Sequence, residues 1–300
     1  MELTPEALLI ICRFIHFTAV MLLAGCGLFS VLLPGDRVAL LLRARLRYTA
    51  RSAAVFTALT TFLWLLLQAA LMGDGWADMQ DPDIILAVLS TSFGEIWRWQ
   101  LVLAVILCGG LLLLSCGRAQ SCLFLSCAAV MLALHAFTGH GMLYSGWTGR
   151  LYQLNQVVHL LSAAYWFGGL WPFLVCLLIL LRRDTLAQGL PKEVVATLIR
   201  FSNLGHLAVF LVLVTGLIST MLLLPDWPQW SGSDYQALLW LKTGLVLTMV
   251  LLAVINRYAV VPKIAQSGRF RLLMISSWVE IILGTLAILM VAIFATYQPA

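Results

Sequence analysis

The chain has 300 residues, of which 62% are hydrophobic and 10% charged, with a formal net charge of +5 and a mean hydropathy of +0.99. Soluble domains run at roughly 45–50% apolar and 25% charged, so a water-soluble fold is excluded. Nucleic-acid binding is excluded too, because the basic residues recur in short loops between apolar runs instead of forming one patch.

Eight stretches meet or approach the roughly 20 apolar residues that cross a hydrocarbon core about 30 Å thick. They are Pro5 to Leu33, Arg51 to Met72, Ile96 to Ser115, Ser121 to Thr138, Leu151 to Leu181, Ala196 to Leu224, Ala237 to Tyr258 and Arg271 to Thr296. The first lacks a basic leader and a small-residue cleavage site, so it is expected to remain as a span. Backbone polar groups in lipid must be satisfied within the segment, and the runs are continuously apolar instead of alternating, so helices are expected and barrel strands are not. The fold class is therefore all-α: one polytopic bundle of eight transmembrane helices over residues 1–300, with no internal repeat expected.

Orientation follows from the loops. Fourteen of the eighteen Lys and Arg residues, including Arg37, Arg43, Arg45, Arg47, Arg51 and Arg118, fall in or beside the first, third, fifth and seventh connections. The other side carries mainly acid, such as Asp74, Asp78, Asp81, Asp83 and Glu95. The positive-inside rule predicts that both termini are periplasmic, and Trp76, Trp97, Trp99, Trp147 and Trp240 are expected at the outer headgroup layer. Seven cysteines, an odd number without a C-x-x-C pair, indicate neither a disulfide framework nor a zinc site.

An ionisable group inside a span costs roughly 2.5–3.5 kcal/mol on insertion scales, which makes each a candidate for function. These are Arg13, His16, His135, His159, His206, Lys242 and Glu280, with His140 at a helix end. At 1.5 Å per residue, His16 and His159 lie about 16 and 12 Å from the outer starts of their helices, a comparable depth. Cys12 and His16 are four apart and share a helix face. His135, His140 and Met142 stand at the outer mouth. Imidazole with thiol or thioether suits copper, especially Cu(I), whereas calcium or magnesium would call for carboxylates. The metal candidates are thus His16, His140, His159, Met142 and Cys12, with His206 and Glu280 as a possible onward pathway. The plainer readings are a helix-packing role for His206, snorkelling for Lys242, and core filling for Met131, Cys127 and Cys176. A rival reading is a b-type haem cytochrome or reductase with axial ligands drawn from His16, His159, His140 and His135.

Several stretches together resemble the CopD family of copper resistance proteins: Arg13-Phe-Ile-His16 followed by Gly25-Cys-Gly27, Gly139-His140-Gly141, and the fifth-span run from His159 through Trp166, Gly168 and Gly169 to Pro172. Thr215-Gly216-Leu217, Asn256-Arg257 and Glu280 to Gly284 extend the resemblance over essentially the full length. It implies an inner-membrane protein of eight helices that transports or transfers copper and works with a small periplasmic carrier of the CopC type. It also implies His16, His140 and His159 as copper-handling positions. No nucleotide-binding motif is present to drive movement by ATP hydrolysis, and an enzyme is not expected.

Overall fold

The computed structural model describes residues 4–139, 146–181, 189–223, 234–263 and 269–295. Among them there is no strand, and eight helical segments are long and apolar enough to cross a membrane. The first span is α1 (Pro5–Gly27), extended by a π-helical turn at Leu28–Leu32. It starts where Thr4 caps the helix, its hydroxyl accepting from the Ala7 amide at 3.3 Å, with Pro5 in the first turn, where no amide hydrogen is needed.

The second span is longer than hydropathy suggests. Residues 36–50, expected as a connection, are the beginning of α2 (Asp36–Met72). Val38, Ala39, Leu42 and Leu46 recur on one face and are buried, while the arginines there favour helix; Arg45 is exposed and Arg43 donates to the Ser30 carbonyl. At 37 residues the helix is about 55 Å long, so its arginine-rich first turns stand beyond the hydrocarbon.

A 3-10 turn (Trp76–Gln80) and the short α3 (Pro82–Leu89) occupy the acidic connection, followed by α4 (Ser92–Leu113) and α5 (Arg118–His135). The fifth span consists of α6 (Gly146–Ala163), a π turn at Ala164–Gly168 and α7 (Gly169–Leu181). The wider turn stands directly before Pro172, whose ring and missing amide hydrogen would otherwise break a regular helix. Then come α8 (Leu190–Leu223), α9 (Asp234–Ile255) with a π turn at Asn256–Val260, and α10 (Arg269–Phe294).

The two halves of the chain share several local features. Each half supplies four spans, so corresponding helices run in the same direction. In the first half α1 packs along α2, and in the second α6 packs along α8. Nine residues separate His16 from Gly25, and nine separate His159 from Gly168. These two glycines are where the halves touch: a Cβ on Gly25 would lie 1.8 Å from the Gly168 carbonyl oxygen, and one on Gly168 would lie 2.0 Å from that of Met21. Gln100 and Lys242 are each the ninth residue of a 22-residue helix.

Candidate metal site

The main polar site lies in the first half, where α1, α2, α4 and α5 converge. His16 and His135 are both buried, with ring centroids 5.0 Å apart. Phe17, Trp64 and Trp97 close around them, the nearest being Phe17 at 4.9 Å from the His135 ring. Trp97, expected at the headgroup layer, is instead fully buried and donates its indole hydrogen to the Thr61 carbonyl at 3.1 Å. It is covered because α3 folds over this end of the bundle, packing Val88, Ile84 and Ile85 onto Leu9, Trp64 and Trp97.

Hydrogen bonding fixes the tautomer of the His16 ring. Thr60 commits its hydroxyl hydrogen to the Phe56 carbonyl at 2.6 Å, so its oxygen accepts from His16 Nδ1 at 2.9 Å. His135 Nδ1 lies 2.6 Å from the Met131 carbonyl oxygen, an acceptor, and 2.9 Å from Gln100 Nε2, a donor, so its surroundings can serve either tautomer. Gln100 Nε2 donates to the same carbonyl at 2.9 Å. Nε2 of His16 therefore presents a lone pair, and Nε2 of His135 does so when its Nδ1 carries the proton, the arrangement by which second-layer groups orient metal-binding histidines.

Neither Nε2 has a partner. Among the described residues, seven buried polar side-chain atoms lack one, and five belong to this locus: Arg13 Nη1, His16 Nε2, Trp64 Nε1, Gln100 Oε1 and His135 Nε2. Each such atom costs on the order of 1–3 kcal/mol, so their concentration at one place singles out this locus as the candidate site. Cys12 lies one turn above His16 on the same face, its thiol donating to the Thr60 carbonyl at 3.4 Å. Arg13 lies over the Trp64 ring at 5.3 Å.

The remaining candidates are distributed differently. His159, matched in depth to His16 by helix arithmetic, makes no ring contact with His16 or His135 among the described residues. Its Nδ1 meets Thr215 Oγ1 at 2.8 Å, and that hydroxyl in turn donates to the Leu211 carbonyl, so the Thr-held tautomer recurs in the second half. Lys242 lies within electrostatic reach of it. Nearby Asn155 and Gln156 both donate to Ser219 Oγ, at 2.9 and 2.8 Å. His206 is exposed on the flank of the bundle, bonded to the Ser202 carbonyl and to Tyr258. Glu280 is buried elsewhere, accepting from Asn256 Nδ2 at 2.7 Å, while Ser276 donates to Asn256 Oδ1. His206 and Glu280 therefore do not share a site, since one faces outward and the other inward. His140 and Met142 lie outside the described residues. Among the described residues no three His, Cys, Asp or Glu side chains form a cluster, so the pair and its neighbours are the densest donor set.

Sequence reasoning paired His16 with His159 and missed His135 as its neighbour. It also missed Thr60 and Gln100, whose polar side chains inside the apolar runs Thr57-Ala-Leu-Thr60 and Trp97-Arg-Trp-Gln100 were the available signal.

Comparisons with known proteins agree on one family. A family model described as copper resistance protein D-like, N-terminal domain, matches residues 4–150, and one described as copper resistance protein D matches residues 195–294. The inner membrane protein YebZ of Escherichia coli is 34% identical over 96% of this chain and 97% of its own length. The copper resistance protein D of Pseudomonas syringae pv. tomato is 27% identical over 87% and 85%. The copper transport protein CutJ of Bacillus subtilis is 28% identical over 81% of this chain but 45% of its own length. No solved structure matches the chain.

Proposed function

Because the chain belongs to the copper resistance protein D family, we propose that it carries or hands over copper across a bacterial inner membrane and holds the ion at Nε2 of His16 and His135. The observation that carries this reading is the pair of buried imidazoles, ring centroids 5.0 Å apart across α1 and α5, each with an unpartnered Nε2. Copper here is cargo. Neutral imidazoles with a thiol one turn away and no carboxylate match the preference of Cu(I). Arg13 adds a selection by charge: a fixed positive group penalises a divalent ion twice as much as a monovalent one at the same distance.

The arginine-rich connections support placing both termini on the periplasmic side, and α3 then roofs the site from that side. His140 and Met142 precede α6 in the chain and are the proposed point of entry, where a CopC-like carrier would deliver the ion. His159 is the counterpart of His16 but faces an ammonium group instead of a second imidazole, so it is proposed as a weaker position. The haem reading gains no support. His16 and His135 pack against each other inside an aromatic shell and do not flank a slot of macrocycle size, and the relatives whose names state a role concern copper.

Titration of the detergent-solubilised protein with Cu(I) against a chromogenic chelator tests the proposal. His16→Ala and His135→Ala are each expected to remove the tight equivalent, while His159→Ala retains it. Unchanged binding in both of the first two variants would sink the reading.

A further inference from the structure

The contact between α1 and α5 does not end at the histidine pair. Along α5, His135, Met131 and Cys127 recur every four residues, and all three are buried. They form a single stripe with donors about 6 Å apart. Phe124 and Gln120 continue it to a cavity of about 20 Å³ at the arginine-rich end of the bundle, room for about one water or one small ion. Two thiols, those of Cys26 and Cys116, line this cavity together with Ser30, Arg43 and Arg47. Cys26 lies ten residues beyond His16 on α1, about 15 Å along the helix axis. Arg51 Nη1 stands 3.8 Å from Cys116 Sγ.

From this arrangement we infer that Cys26 and Cys116 form a second copper(I) site, the exit station for an ion leaving the histidine pair. The inference rests on the copper reading above. Two-coordinate Cu(I) needs only two soft donors, so the absence of any three-residue cluster among the described residues is no obstacle. Each thiol gives up its proton on binding, and one Cu(I) between two thiolates carries a net charge of −1. Arg43, Arg47 and Arg51 supply the positive charge that such a complex needs. The donors also grow softer along the path, from imidazole through the thioether of Met131 to thiolate, which favours Cu(I) moving away from the histidines. Burial suits the same end: Cys26 is closed off at 1% exposure, whereas Cys116 is exposed and can pass the ion on.

Copper-loaded full-length protein in detergent, studied by X-ray absorption at the copper edge, separates the two sites. The unaltered chain is expected to hold about two equivalents, one with nitrogen and one with sulfur neighbours. The Cys26→Ser/Cys116→Ser double variant should lose the sulfur-bound equivalent and keep the other. His16→Ala/His135→Ala should do the reverse, and that outcome distinguishes failure of the histidine site from failure of the thiol site. A second readout does not depend on total loading: Cu(I) should slow maleimide labelling of Cys116, and Cys26→Ser should abolish that protection. A sulfur signal unchanged in the double variant, or protection of Cys116 that persists without Cys26, overturns the inference, as does copper bound with no sulfur neighbours.

Discussion

The two halves of the molecule repeat one arrangement and put it to different ends. In each, a histidine of the first helix donates Nδ1–H to a threonine of the next. In the first half the facing helices contribute His135 and Gln100, with Arg13 over Trp64 at the same locus. In the second half the position corresponding to Gln100 is Lys242, within electrostatic reach of His159. On the copper reading proposed above, the second imidazole and the position of the nearby positive group separate the two halves.

The largest effect is expected where the halves meet. Gly25→Ala would drive a methyl group into the Gly168 carbonyl. Two backbones cannot yield as a flexible side chain does, so a loss of more than about 3 kcal/mol is expected. The readout is the yield of monodisperse protein in mild detergent, and a well-behaved Gly25→Ala protein would show that the contact between halves is loose.

Making the halves alike is the next test. Gln100→Lys brings an ammonium against His135. With about 4 kcal/mol between unit charges at 4 Å and an effective dielectric of 20, a loss of copper affinity on the order of a thousandfold follows. The reciprocal Lys242→Gln should leave the tight equivalent untouched. Equal affinities in Gln100→Lys and the unaltered protein would show that charge does not separate the two halves.

Removing the tautomer lock should have a smaller effect. Thr60→Val deletes the acceptor for His16 Nδ1–H, and second-layer losses of this kind weaken metal binding by about 10–100-fold. Thr215→Val should not change the tight site. The smallest effect belongs to the polar group beside His159: Ser219→Ala removes an acceptor shared by Asn155 and Gln156. It should cost about 1 kcal/mol of stability, seen as a lower thermal midpoint with copper affinity unchanged.

Most of the fold was legible in the residues, because a backbone in lipid can satisfy itself only as a helix or closed barrel. Eight continuous apolar runs leave no other reading. The chief difference, the extension of α2 back to Asp36, arose because arginine at every few positions suggests a loop even where Val38, Leu42 and Leu46 keep a helical period. The site was half legible. His16 and Cys12 stand out as polar groups in an apolar run, and their spacing on one helix face is local information.

Which histidine faces His16 is a matter of helix rotation and packing, and depth alone does not determine it. His159 has the matching depth yet turns to Thr215, while His135, at a helix end, reaches the first imidazole because α5 packs on α1. The amino-acid sequence by itself determined the spans, their direction relative to one another and the inventory of soft donors, since these depend on residue type and on the length of each apolar run. Only the tertiary structure decided which donors meet, because contacts between helices are set by small residues such as Gly25 and Gly168 that let two backbones touch, and these bring together groups more than a hundred residues apart in the chain.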